Sequence, residues 1–269
     1  MTTAASRRYL MCRPTHFAVT YKINPWMDPT APYDNALAVS QWENLRQTFL
    51  DLGHTVDLID PIPGLPDMVF AANGATVVDG KVLAVQFRDA ERADEGPAYA
   101  NWFTDAGFEV FDSKHTNEGE GDILLAGDVL LAGTGFRTSH AAHAQTQEIF
   151  GRPVITLQLV DPAYYHLDTA LCVLDERNVA YLPSAFSPGS QAVLRRLFPN
   201  AVIATEADAE VLGLNAVSDG RTVVLPVQAT GLAAALQAAG YETVGVDVSE
   251  LRKAGGGPKC CTLVIRDRD

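Results

Sequence analysis

Cysteine is scarce in this chain: four residues among 269, at positions 12, 172, 260 and 261. That is too few for the disulfide framework of a small secreted domain, and the spacing matches no zinc pattern. Free thiols in a reducing compartment, the cytoplasm, are the expectation. Long apolar runs are missing too, and none approaches the length that spans a bilayer. The opening stretch lacks the apolar centre of a signal peptide. Basic charge is short: 20 Lys and Arg stand against 33 Asp and Glu, a formal net charge of -13. Such a surface disfavours nucleic acid and anionic membranes as partners. It leaves room for a small cationic substrate, and it says nothing against a homo-oligomer. What remains is an ordinary globular composition, 47% hydrophobic and 20% charged, with ample core.

One order of elements recurs along the chain. Residues 1–8 read as a flexible tail and 9–269 as one domain. Tyr9 to Met11 and residues 17–22 read as strand-like pieces. A helix over 35–52 carries Leu37, Trp42, Leu45, Phe49 and Leu52 at helical spacing. Gly53 ends it, and a strand follows over 54–59. Four fuller copies come next. Their first strands are predicted at 67–73, 122–125, 169–174 and 214–218. Their second strands fall at 81–87, 129–132, 179–182 and 222–226. Helices follow at 97–106, 140–150, 189–198 and 231–239, then third strands at 108–111, 154–158, 202–205 and 243–246. The first copy lacks its opening strand, and the last strand, 262–265, has no copy of its own. Joining the two completes a fifth ββαβ unit and closes a ring, because one such unit cannot bury its own apolar face. The alternative is an open α/β sheet.

In such a ring the clusters that begin or end the five first strands meet at one end. They carry Asn73, then Glu118 with Asp122, then His166 with Asp168, then Asn215, then Cys260. Pooled, these are a thiol, an imidazole, carboxylates and amides: a nucleophile, an acid/base and a cation-binding set. Each also has a plainer reading. Cys260 suits a packed thiol, His166 a core histidine, the acids a solvated turn, and Asn73 a turn residue before Gly74. On a strand, Cys260 and Cys261 would face opposite ways, and His166 and Asp168 the same way.

The motifs Pro-Asp-Met-Val-Phe-x-Ala-Asn (66–73), Glu-Gly-x-Gly-Asp (118–122), His-Leu-Asp-Thr (166–169) and the Gly-rich Lys-Cys-x-Thr run (255–262) are similar to the guanidine-modifying, or amidinotransferase, superfamily. Met-Cys-Arg-Pro (11–14) and Ile-Asn-Pro-Trp-Met (23–27) resemble its bacterial arginine dihydrolases in particular. The resemblance implies a five-bladed α/β propeller (pentein) with pseudo-fivefold symmetry, and catalysis without a metal or organic cofactor. By that resemblance Cys260 attacks the guanidinium carbon and forms a covalent thiouronium. His166 serves as acid and then base. Glu118 and Asp168 hold the guanidinium, and Arg92 and Arg137 are candidates for the substrate carboxylate. Asn24, Asp122 and Asn215 complete the expected binding set. Asn73, where deiminases and dimethylaminohydrolases carry aspartate, implies an arginine dihydrolase making ornithine, carbon dioxide and two ammonia. The alternatives are dimethylarginine dimethylaminohydrolysis and a non-catalytic arginine-binding module.

Overall fold

The computed structural model describes residues 6–267. Its strands form five separate three-stranded sheets. In chain order, β1 (Arg8–Cys12), α1 (Asn35–Asp51) and β2 (Thr55–Ile59) come first. Then follow β3 (Ala75–Val78), β4 (Lys81–Ala84), α2 (Glu95–Asp105) and β5 (Glu109–Phe111). The third set is β6 (Ile123–Ala126), β7 (Val129–Thr134), α3 (His140–Phe150) and β8 (Val154–Gln158). The fourth opens on one helical turn, α4 (Leu167–Ala170), before β9 (Leu171–Asp175), β10 (Asn178–Tyr181), α5 (Pro188–Leu197) and β11 (Val202–Ile203). The fifth holds α6 (Glu206–Ala209), β12 (Val217–Ser218), β13 (Thr222–Pro226), α7 (Thr230–Ala238) and β14 (Glu242–Val246). Last come α8 (Ser249–Arg252) and β15 (Leu263–Ile265).

Every sheet repeats one pattern. Its middle strand pairs antiparallel with one neighbour and parallel with the other, as β4 does with β3 and β5. A parallel partner needs a crossover, and the long helix of each set supplies it. The first sheet takes its antiparallel strand from the far end of the chain: Arg8 lies opposite Ile265, and Leu10 opposite Leu263. Of the residues read as a tail, 1–5 lie outside the described ones. Residues 6–8 are held: Ser6 Oγ donates to the Gly53 carbonyl, Arg7 N to His54 Nδ1, and Arg8 opens β1.

The helices form where apolar spacing predicts them. Asp34 caps α1 by accepting the Leu37 N–H, and Ala38, Trp42, Leu45 and Phe49 turn inward. Each large apolar side chain so buried stabilises the fold by about 1.5–3 kcal/mol. Leu37, expected on that face, is 42% exposed, since it sits on the first turn beyond the core. Gln41 on the same face is buried and ties α1 to the last elements, accepting from Glu250 N and donating to Asp247 and Ser249. Residues 17–22 form no strand, because the Asn35 side-chain amide takes the Pro14 and Phe17 carbonyls.

The first strands start later than expected, and that moves the motifs. Residues 66–74 are two 3-10 turns, with the strand beginning at Ala75. Gly119–Gly121 is a 3-10 turn, and His166 stands just before α4 without a side-chain capping bond. Pro, Gly, Asp and Asn in these clusters favour turns, while the apolar runs after them pair as strands. Among the described residues no helix is long and apolar enough to cross a membrane.

Candidate active site

The turn before β15 carries both adjacent cysteines, so neither lies on a strand. Cys261 N donates to the Gly257 carbonyl, Thr262 N to Lys259 O and Thr262 Oγ1 to Pro258 O. Pro258 stands early in this turn, where a missing N–H costs little. Gly256 comes so close to Phe70 that an added Cβ would lie 2.2 Å from the ring. Asn215 clamps the turn. Its Oδ1 accepts from Gly257 N and Cys260 N, each at 3.0 Å, and its Nδ2 donates to Cys260 Sγ at 3.1 Å and to Asp168 O at 3.1 Å. Cys260 Sγ donates in turn to Asp168 Oδ2 at 3.3 Å. Cys261 is fully buried among apolar side chains.

Burial pushes the Cys260 thiol well above its ordinary range, and the Asp168 carboxylate adds to the rise. Asp168 itself is pushed up to about 6, chiefly by burial, with His166 opposing. Its second oxygen is buried with no partner. Both effects favour the protonated thiol.

His166 Nε2 lies 2.7 Å from Glu118 Oε2. The same oxygen takes Arg137 at 2.9 Å, and Oε1 accepts from Arg88 N at 3.2 Å. A carboxylate only accepts, so Nε2 carries the hydrogen and Nδ1 is the free nitrogen. Burial works to raise the Glu118 pKa, but the His166 hydrogen bond and the Arg137 charge outweigh it and hold the group far below the carboxylate range. Glu118 is thus occupied in fixing the histidine, and it is not an open guanidinium ligand as the sequence suggested.

His166 Nδ1 and the Asn73 amide meet over Gly121. A Cβ added there would lie 2.3 Å from Asn73 Nδ2 and 3.1 Å from His166 Nδ1, so glycine keeps that space open. Arg92, buried and donor-only, fixes which way the Asn73 amide points. It donates to Asn73 Oδ1 at 2.8 Å, and Asn73 Nδ2 then donates to the Glu118 carbonyl at 3.3 Å. Glu95 grips Arg92 at 2.9 and 2.7 Å.

A narrow pocket of about 10 Å³ reaches Cys260. Asn73, Arg92, Arg137, Asn24 and Tyr165 share its lining. Neither arginine is a surface ion pair; both are buried. Asn24 has no polar capacity left for a ligand: it donates to Tyr165 and Ala254 O and accepts from Trp26 N and Met27 N. Each Asp122 oxygen accepts one backbone N–H, from Thr138 and from Leu167, and the second sets the start of α4. Asp122 and Asn215 therefore hold loops. Sequence reasoning passed over Asp67, which lines the pocket with Oδ1 buried and unpartnered while Tyr21 donates to Oδ2. Its place in the 66–73 motif, six residues before Asn73, was the available signal.

A dimethylarginine dimethylaminohydrolase of Mycobacterium tuberculosis is 56% identical over 98% of this chain and 87% of its own length. The chain belongs to the guanidine-modifying pentein superfamily. A second relative of this pentein is the bifunctional arginine dihydrolase/ornithine cyclodeaminase ArgZ of Synechocystis, 36% identical over 97% of this chain but only 38% of that protein. The crystal structure of the ArgZ N-terminal domain bound to substrate matches with TM-score 0.94 at 35% identity, covering 97% of this chain and 99% of that one. A dimethylarginine dimethylaminohydrolase structure at 20% identity matches with TM-score 0.82 over 97% of this chain and 100% of that chain, a likeness of fold alone. No family model matches the chain.

Proposed function

We propose that this pentein hydrolyses a guanidine C–N bond of arginine through Cys260, and that it does so twice. The carrying observation is the Asn73 amide, fixed by Arg92 with its N–H group turned toward His166 and Gly121. A guanidinium needs acceptors. Asp168 and Asp67 each offer a buried oxygen without a partner, and such an orphan costs about 1–3 kcal/mol until a ligand pairs with it. After the first hydrolysis the side chain is a neutral ureido group. An aspartate in place of Asn73 would only accept, whereas the amide donates to the ureido oxygen and keeps it seated.

The steps follow from the residues. The arriving cation lowers the cost of ionising Cys260, and the Asn215 N–H supports the thiolate. Sulfur bonds to the guanidinium carbon. His166 Nδ1 takes the thiol proton as sulfur bonds and passes it to the departing ammonia, leaving a thiouronium on Cys260. Water then adds to that carbon, gives its proton to His166, and the C–S bond breaks. A second round at the ureido carbon expels the second ammonia and leaves a carbamate, which loses carbon dioxide, so arginine and two waters become ornithine, carbon dioxide and two ammonia. Glu118 positions His166 throughout. Arg137 and Arg92 set positive charge beside the pocket for the substrate carboxylate.

A second reading is dimethylarginine dimethylaminohydrolysis, giving citrulline and dimethylamine, and it rests on the 56% identical relative of that name. By identity the relatives favour it over the dihydrolase. Incubation with arginine, dimethylarginine and citrulline separates the two. Ornithine from both arginine and citrulline is expected, and Asn73→Asp should stop at citrulline. Turnover of dimethylarginine alone, with dimethylamine released, would establish the second reading instead. A non-catalytic binder would bind arginine and release nothing.

We further place the five sheets around one axis as a closed five-bladed propeller forming a single catalytic domain. Support comes from the inner strands, since β6, β9, β12 and β15 of four different sheets line one common cavity.

A further inference from the structure

That cavity has a volume of about 530 Å³ and shares no lining residue with the Cys260 pocket. Lys259 faces it while Cys260, the next residue, faces the pocket. Its charge runs against the composition of the chain. Arg7, Arg152, Arg177, Lys259 and Arg266 all line it. The acids on its walls are Asp128, Asp175 and Glu176. Asp128 is 3.6 Å from Arg152, and Asp175 is taken by the Tyr241 hydroxyl and Arg177 N. At the floor, Glu120 is shared between Lys259 and Arg266, so one acid answers two cations. Lys259 Nζ donates to Glu120 Oε2 and Thr262 O, each at 3.0 Å, which leaves its third N–H uncommitted. The Arg7 and Arg177 side chains have no acidic partner among the described residues.

We propose that this cavity is a second binding site, for a small anion bearing several carboxylate or phosphate groups. The volume suits one small molecule, and the overall charge of -13 disfavours an anionic polymer at its mouth. Free guanidinium groups supply the paired donors that both chemistries need. The floor links the site to the catalytic turn. Lys259 N donates to Asn215 O at 3.2 Å, and Asn215 holds Cys260 by nitrogen and sulfur. An anion drawing Lys259 Nζ from Glu120 shifts that clamp and changes turnover. This coupling rests on the proposed role of Cys260; the binding does not.

Calorimetry with inorganic phosphate, pyrophosphate and citrate tests the site on the full chain. Saturable one-to-one binding is expected, undisturbed by arginine and weakened by salt. Citrate binding alone marks a carboxylate ligand, and the two phosphates alone a phosphate ligand. Arg7→Ala with Arg177→Ala should weaken binding about tenfold or more, since charged hydrogen bonds contribute about 1.5–3 kcal/mol each. Replacing both by lysine should keep most of it. No binding by any of the three anions, displacement by arginine, or unchanged affinity in the alanine pair would overturn the site. If the alanine pair does not fold, wild-type crystals soaked in pyrophosphate decide, and density elsewhere overturns it. A bound anion that leaves kcat/KM unchanged removes the coupling.

Discussion

Single side chains in the Cys260 site are held at an energetic cost that substrate is expected to relieve. Asp168 shows this best. Its pKa rises from 3.8 to about 6 on burial, so between those values the folded state keeps a proton that the unfolded chain has lost. Stability therefore falls as pH rises from about 4 to 6, by roughly 3 kcal/mol in all. Asp168→Asn removes that loss. The variant should match wild type in urea unfolding near pH 3 and exceed it at pH 7 by up to roughly 3 kcal/mol, with turnover abolished. Equal pH slopes in the two proteins would contradict this account. The thiol gives a second check. Cys260, held protonated by burial, should react slowly with iodoacetamide in the free protein at neutral pH. It should react faster once a small amidine cation is bound. Equal rates would remove the substrate-assisted ionisation.

Turns, more than strands, build the site. The Gly255–Gly257 approach illustrates it: with Gly256→Ala the new methyl lies 2.2 Å from the Phe70 ring, so ring or turn must move. The expected outcome is a loss of kcat of about tenfold or more with little change in KM, since a small displacement of the nucleophile costs about that much. Phe70→Ala in the same chain should recover part of it, and steady-state kinetics on the single and double variants tests this. The unit order and the helix-to-strand joints were legible in the sequence because periodicity and glycine carry them. Gly151, for instance, ends α3 at φ 63, a conformation few other residues take. The motif segments suggest strands because they carry or adjoin short apolar runs, such as 68–72 and 123–125. Their backbones bend instead because side chains capture them, as Asp122 takes Leu167 N. That also explains the site. That Asn73, Glu118, His166, Asp168, Asn215 and Cys260 come together could be read from their shared place in the repeat. Which polar groups remain free could not, since the Glu118 carboxylate is taken by Arg137 and His166 and the Asn24 amide nitrogen by Ala254, all outside their own motifs.

At the scale of the molecule, the first sheet is assembled from both ends of the described chain, and Arg8 stands 3.1 Å from Asp267. A short linker joining residues 267 and 6, with new ends cut at the exposed joint beside Gly240, should give a permuted chain that folds and turns over arginine. Its thermal midpoint should lie within a few degrees of wild type. A permutant that stays unfolded would speak against the closed arrangement.

The pairing of β15 with β1 also has a bearing on synthesis. A chain leaving the ribosome makes β1 well before its partner β15, which follows only after the four other sheets. Contacts so distant in sequence form slowly, and until then β1 presents an unpaired edge. The turn bearing Cys260 immediately precedes that last strand, so the nascent chain has no seated thiol to react. Activity and the β1–β15 pairing should appear together, once β15 has emerged and not before.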